Sequence, residues 1–444
     1  MTARHHCRLI AGVLALACAG LARAQQPAAP LPAPLTVEQA VAYALENNPS
    51  ITNAAQNVQI AEAQVDIARA NRRPDVGVNV SGTYNPSPTE VTFGDSTVQL
   101  GEKFNSTLGV TVSQPVWPNT RWRAPIAGAQ ANLGVNTEAL QRTRQTVAYQ
   151  TRQAFYQVLT AQQLQAVAQE SVQAAQTQLK LAESTVAAGY AAPLDIYQAR
   201  ATLADAQVTL ARAKNAVDLA RAALVTQLGL PAATPVQLST PAGLPAVPPN
   251  LDDLTQAALR QRSELAQVNF RRQQVQAQID LIRLQQRPIV NLQANYSKDL
   301  TTASALSSSG LTFGAAVGLA VYNGGQTKAE LETARIQLAQ LDTTARQLEL
   351  GITLEVRQAY LDLQNATEQL IAVEEGLRAA EEALRIAQIR YENGEGIILE
   401  VEQARVRRTQ AQTALAQAQY QAQVSAARLA FALGEPVVGV VSNK

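Results

Sequence analysis

"YENGEGIILEVEQAR", Tyr391 to Arg405, interrupts a long charged, alanine-rich helical pattern with a glycine pair, and a second helical pattern starts at once. The stretch "VAAGYAAPLDIYQAR", Val186 to Arg200, does the same thing 205 residues earlier. Gly189 matches Gly394, Leu194 matches Leu399, Gln198 matches Gln403, and Ala199-Arg200 match Ala404-Arg405. Asp195 meets Glu400, and Ile196 meets Val401. One chain therefore makes the same helix–turn–helix bend twice.

The likeness extends outward from the bends. With the same shift "RQAFY" (Arg152 to Tyr156) meets "RQAYL" (Arg357 to Leu361), and Leu228-Gly229 meets Leu433-Gly434. Further upstream the shift is 214, where Pro74 meets Pro288 and "NPSI" (Asn48 to Ile51) meets "RSEL" (Arg262 to Leu265). Internal duplication accounts for this. The first repeat spans 25–229 and the second 251–434. The six-proline stretch 230–250 reads as an extended linker, and 435–444 as a tail.

Residues 1–24 read as a secretory leader: Arg4 and Arg8, an apolar run from Leu9 to Ala19, and a small-x-small cleavage site ending at Ala24. That run is too short for a transmembrane anchor. Lipidation at Cys18 wants a leucine-like residue three positions earlier, where Ala15 stands. The leader holds three of the 36 basic residues and none of the 35 acidic ones, so the mature chain is close to neutral. No electrostatic case for nucleic acid remains. The leader also holds both histidines and both cysteines (His5, His6, Cys7, Cys18). Without imidazole or thiol, disulfides, zinc sites and histidine-activated nucleophiles are excluded. No phosphate-binding glycine loop with its lysine occurs either. No cofactor, metal or enzymatic activity is expected.

Each repeat reads as helix, strand, strand, very long helix, bend, helix. In the second long helix the apolar positions step by threes and fours: Leu331, Ala334, Leu338, Leu341, Ala345, Leu348, Ile352. After one change of register they resume at Ala359 and run through Leu363, Ala366, Leu370, Val373, Leu377, Ala380, Leu384 and Ala387 to Tyr391. That is a coiled-coil seam rich in small residues. A helix from about 123 to 188 would run ~100 Å, whereas those over 37–72 and 194–228 would each run ~55 Å. Two short helices laid end to end therefore match one long one.

Between helices the period changes to two. Val76, Val78, Val80 and Tyr84 alternate with polar residues in 74–84, as do Leu108, Val110 and Val112 in 104–117. Val290, Leu292, Ala294 and Tyr296 do so in 288–297, and Leu311, Phe313, Ala315, Val317, Leu319 and Val321 in 311–322. Each run has about the 9–11 residues that cross a bilayer as a tilted strand with one apolar side. Tyr84, Phe104, Trp117, Tyr296 and Tyr322 cluster at run ends, as interfacial aromatics do. Two hairpins packed on a soluble core are the alternative. The narrow helix seams cannot cover so broad an apolar face, and the connections 85–103 and 298–310 read as polar loops. Four strands cannot close a barrel, and open edges do not survive in lipid. Self-assembly follows; three chains would supply twelve strands.

Over nearly the whole mature length the chain resembles the TolC-like outer-membrane efflux proteins. The resemblance is carried by "LTVEQAVAYALENNPSI" with "RRPDV" after it, by "RSEL" and "QRPIV", by the "VYNGG" turn, and by both bends. It implies a homotrimer in the outer-membrane lipid, with a twelve-stranded barrel continued by an α-helical tunnel through the periplasm. Such a duct conducts passively for an inner-membrane pump of the RND, ABC or MFS type and is joined by a periplasmic adaptor. The resemblance further places Gly189, Leu194, Gly394 and Leu399 at adaptor-docking tips. It carries Asp195, Tyr391, Glu400 and Gln403 onto the gate, with Gly396 standing where some members have a basic partner. Asp195 and Glu400 also fit a plainer role, because acids in a helix's first turn favour its dipole by ~0.3–1 kcal/mol. Tyr391 fits packing in the seam equally well. A periplasmic adaptor or a coiled-coil envelope protein is the alternative function, distinguished by the four bilayer-length strands.

Overall fold

The computed structural model describes residues 33–87, 89–94, 96–100, 103–189, 192–240, 246–300, 309–393, 395 and 397–435. The leader and the tail beyond Glu435 lie outside them.

Helix α1 (Val37–Asn47) opens with a capping box in which Thr36 and Gln39 satisfy each other's backbone N–H groups. It stops at Asn48, and α2 (Pro49–Ala70) starts at the next residue. The sequence pattern suggested one helix over 37–72; there are two. Pro49 has no N–H and holds Asn48 extended (φ −70°, ψ 126°), while the Asn48 Oδ1 accepts from the Ser50 amide at 2.8 Å. The chain then crosses the sheet as β1 (Asp75–Tyr84). Strands β2 (Thr89–Phe93) and β3 (Ser96–Leu100) form a small hairpin in the stretch that read as a polar loop. Strand β4 (Phe104–Trp117) leads into the 68-residue helix α3 (Thr120–Ala187), and α4 (Pro193–Gln227) returns.

The order then recurs. Helices α5 (Leu251–Gln261) and α6 (Ser263–Leu284) break at Arg262, 214 residues after Asn48 and with the same extended backbone. Strands β5 (Ile289–Asp299) and β6 (Ser309–Gly318) follow, then the 67-residue helix α7 (Gln326–Glu392) and α8 (Ile398–Leu433). The last strand ends at Gly318, short of the expected 322, so Leu319, Val321 and Tyr322 lie in the turn toward α7. No described helix is long and apolar enough to cross a membrane.

Strands β1, β4, β5 and β6 form one antiparallel sheet in that order, leaving β1 and β6 as edges. Its register lines up the alternation that the sequence foretold. Val78, Val110, Tyr296 and Leu311 form one row across all four strands, and Val76, Val112, Ala294 and Phe313 the next. The other face carries rows such as Ser81–Thr107, joined by a hydroxyl hydrogen bond of 2.8 Å, and Thr111–Asn295–Thr312. Among the described residues nothing covers the apolar face: Val78 is 68% and Phe313 79% exposed.

The helices form a layer of columns: α2 above α4, then α3, then α6 above α8, then α7. Every seam position from Leu331 to Ala387 is buried or half-buried, and Val356 bridges the change of register. Close approach between α3 and α6 depends on Gly134, where a Cβ would stand 2.5 Å from the Phe270 ring.

Both repeats share a node at mid-height. In the first, Asn48 Nδ2 donates to the Gln227 carbonyl at 2.8 Å, and Gly229 (φ +81°) turns the chain against Asn47. In the second, Arg262 Nη1 donates to the carbonyls of Phe431 (3.3 Å) and Ala432 (3.1 Å), and Gly434 (φ +71°) makes the turn. A side chain at each helix break thus satisfies the free carbonyls ending the returning helix. The second node is charged. Arg262 pairs with Glu355 (2.5 Å) and Glu264 (3.2 Å), and Glu264 with Arg142 of α3 (2.9 Å). Arg142 also lies over the Phe431 ring at 3.9 Å, and Gln145 donates to the Gly434 carbonyl at 2.8 Å. Burial lowers the Arg142 pKa, and the neighbouring Glu264 opposes that shift.

Candidate functional site

The two bends sit at the ends of the helical hairpins farthest from the sheet. At the first, α3 ends with Gly189 at φ +82°, its amide donating to Val186 at 3.0 Å, and nothing within 4 Å of where a Cβ would point. The backbone conformation, not crowding, requires glycine there. After the turn, Pro193 starts α4 and Asp195 stands half-buried in its first turn. Leu194 is 61% exposed.

At the second bend Gly394, Gly396 and the side chain of Tyr391 lie outside the described residues. Around them Arg390 organises the turn. Its carbonyl accepts from the Glu395 amide at 2.8 Å, its Nη2 donates to the Glu395 carbonyl at 3.2 Å, and its Nη1 lies 3.6 Å from Glu400. Glu400 occupies the first turn of α8, Leu399 beside it is exposed, and so is Gln403 one turn on. The first hairpin has its own cross-pair, Arg200 with Glu183 at 3.5 Å, at positions not equivalent to those of the second. The family resemblance carried Asp195, Glu400 and Gln403 onto the tips but passed over Arg390, which stands beside Tyr391. No spacing rule marks it, since it is one of several arginines on α7.

The strand aromatics divide. Tyr84 and Phe104 are directly paired at one end of the sheet, and Trp117 lies at the other, beside an irregularity between Pro115 and Trp117. Tyr296, expected at a strand end, stands level with Val78 and Val110 because β1 and β4 reach beyond β5. Tyr322 lies past the end of β6 and is 85% exposed. Among the described residues no group of His, Cys, Asp or Glu could hold a metal ion.

This is the framework of an export channel: long paired helices, a membrane-length sheet with open edges, and polar tips. The family profile described as outer membrane efflux protein matches residues 40–230 and again 254–435, so the chain belongs to that family. Its members are channels, and the chain is not an enzyme. The outer membrane efflux protein BepC of Brucella suis is 23% identical over 401 residues, covering 90% of this chain and 85% of BepC. Among solved structures, the CmeC outer membrane channel of Campylobacter jejuni superposes with a TM-score of 0.79 at 18% identity, covering 90% of this chain and 85% of CmeC. The outer membrane protein VceC of Vibrio cholerae gives 0.77 at 20% identity, covering 90% and 96%. The fold is that of the TolC-like channels.

Proposed function

We propose that three copies of this chain form an exit duct in the outer membrane, passively conducting substrates from an inner-membrane pump through a tunnel gated at its periplasmic tips. One relationship carries the reading. Among the described residues every neighbouring pair of columns sets a long helix beside two short ones, leaving α7 free on one side and α2 with α4 on the other. The free sheet edges match: β1 follows α2, and β6 precedes α7. Both helical edges carry exposed apolar side chains, Leu350, Leu354 and Ile371 on α7 against Ile60, Val208 and Leu219 on α2 and α4. A second copy placed so that α7 meets the next α2 and α4 continues the alternation and brings β6 beside the next β1. Four antiparallel strands make β1 and β6 run in opposite directions, so that junction is antiparallel too. Closing the ring leaves no strand edge in lipid and turns the apolar face outward.

Three copies give the twelve-stranded barrel of the family resemblance. Gly189, Leu194, Gly394 and Leu399 then face a periplasmic adaptor, and Asp195, Tyr391, Glu400 and Gln403 line the aperture that the adaptor dilates. A periplasmic adaptor or soluble coiled coil is disfavoured by the uncovered apolar rows of the sheet. The mass of the detergent-extracted protein tests the assembly: a trimer is expected, and a stable, freely soluble monomer would end this reading.

A further inference from the structure

Helices α3 and α8 run antiparallel, and their seam is stitched downward from the mid-height node. Gln145 reaches the Gly434 carbonyl, Tyr149 stacks on Phe431 with centroids 5.1 Å apart, and the Tyr156 hydroxyl donates to Gln423 at 3.4 Å. The last stitch is Glu170, which takes Arg408 Nη2 at 2.8 Å and Gln412 Nε2 at 3.1 Å. It stands roughly 40 Å below the node at the rise of an α-helix. Below it no hydrogen bond or ion pair joins the two hairpins among the described residues. There α4 and α8 flank α3 across a cleft lined by Glu170, Asp205, Glu402, Arg405 and Arg408, below a second cavity between the same helices that reaches Tyr420.

We infer that Glu170, Arg408 and Gln412 form a latch at this lowest stitch, holding the two hairpins of each chain together and so positioning the tip aperture. The inference rests on the duct reading. Arg408 is anchored from its own hairpin, with Glu381 3.9 Å from its Nε, so its head group is presented to α3 rather than left free. Burial would raise the Glu170 pKa, but hydrogen bonds from Arg408 and Gln412 and the Arg408 charge outweigh it, and the net shift is downward. The carboxylate is therefore charged wherever the latch has to act. Half-exposed pairs are weak singly, worth a factor of about two to five. A ring whose three copies move together multiplies that factor to about ten to a hundred.

The test is single-channel recording of the full-length protein in planar bilayers, comparing wild type with E170Q, R408Q and the double variant. Each single change is expected to raise the ratio of high- to low-conductance dwell by about tenfold or more. Combined, the two changes should fall well short of the product of their separate effects, because both break the Glu170–Arg408 pair. Ratios unchanged from wild type, or effects that multiply in the double variant, overturn the latch. The chain has no cysteine after Cys18, so E170C/R408C joined by a short bis-maleimide gives an independent measurement. Cross-linking should suppress the high-conductance state, and an unaltered ratio overturns the latch even if the glutamine variants assemble poorly. A wild type that forms no pores at all speaks against the duct itself instead.

Discussion

Arg262 donates to the Ala432 carbonyl at 3.1 Å across 170 residues of chain, and Asn48 donates to the Gln227 carbonyl at 2.8 Å across 179. The same structural task, finishing the returning helix on the break in the stacked pair, is done once by a guanidinium and once by a neutral amide. The side chain of Arg262 is only 4% exposed, and it faces two carboxylates that are themselves partly open to solvent. Removing it strands those charges as well as the carbonyls.

Arg262→Ala should therefore destabilise the folded protein by about 3 kcal/mol, the lower end of the range for breaking a buried ion pair. Asn48→Ala loses a neutral hydrogen bond and a helix cap, about 1–2 kcal/mol. Denaturant unfolding of the detergent-solubilised protein ranks the two. Equal losses, or the reverse order, would show that the charges around Arg262 contribute nothing beyond the carbonyl contacts.

Two glycines of nearly identical backbone conformation separate strain from crowding. Gly189 has φ +82° and nothing within 4 Å of its Cβ position; Gly229 has φ +81° and the Asn47 backbone pressed against it, with a Cβ position 2.5 Å from the Asn47 carbonyl oxygen. Gly189→Ala should lose only the left-handed penalty of about 1–2 kcal/mol. Gly229→Ala must also push α1 away from the end of α4 and should lower the unfolding midpoint distinctly further. Indistinguishable midpoints would mean that the node relaxes without resistance.

The lowered pKa of Glu170 gives a pH dependence of fixed sign. A carboxylate depressed in the folded state contributes stability above its unfolded value, about 4.3, and loses it as pH falls through the lower folded value. Between pH 7 and pH 5 this group should leave gating unchanged; at still lower pH high-conductance dwell should rise. Arg408 and Gln412 hold the carboxylate from α8, while Glu381 of α7 and Asp205, Glu402 and Arg405 around the cleft titrate or carry charge nearby. E170Q therefore serves as the reference, since only the part of the response that it removes belongs to Glu170. A response preserved in E170Q would move the effect to those neighbours.

The elements that obey a period were legible. The coiled-coil seam from Leu331 to Ala387 and the alternation of the four strands of the sheet depend on residues a few positions apart, and the register joins them as the alternation requires. What was not legible depends on distant partners. The break at Arg262 has no proline, unlike that after Asn48, and is explained by a helix end 170 residues away. Tyr296 falls inside the sheet because strand lengths are unequal, which is a property of pairing and not of the strand itself. At the tips, likeness between repeats aligned the two acids and the family resemblance gave them a role, whereas Arg390 has no counterpart in the first repeat, where Thr185 stands. The nodes and the Glu170 contact with Arg408 and Gln412 escaped for the same reason: their side chains are common types whose meaning comes only from what distant helices bring to them.

Arg390 and Glu400 offer a final test, in which gate and helix cap predict different things. Their side chains are 50% and 44% exposed and 3.6 Å apart, so the pair adds little to stability. Either substitution should leave trimer mass and unfolding nearly unchanged. If these groups face the conducting aperture, removing the acid leaves an uncompensated cation there, and removing the arginine leaves an uncompensated anion. Glu400→Ala should then shift reversal potentials in a salt gradient toward weaker cation preference, and Arg390→Ala toward stronger. If Glu400 merely complements its helix dipole, the first substitution loses ~0.3–1 kcal/mol of local helix stability and neither changes ion selectivity. Opposite shifts from two residues of one pair are difficult to obtain from general loosening of the bend, which would move both variants the same way. Shifts of the same sign, or none, return Glu400 to the helix-cap role.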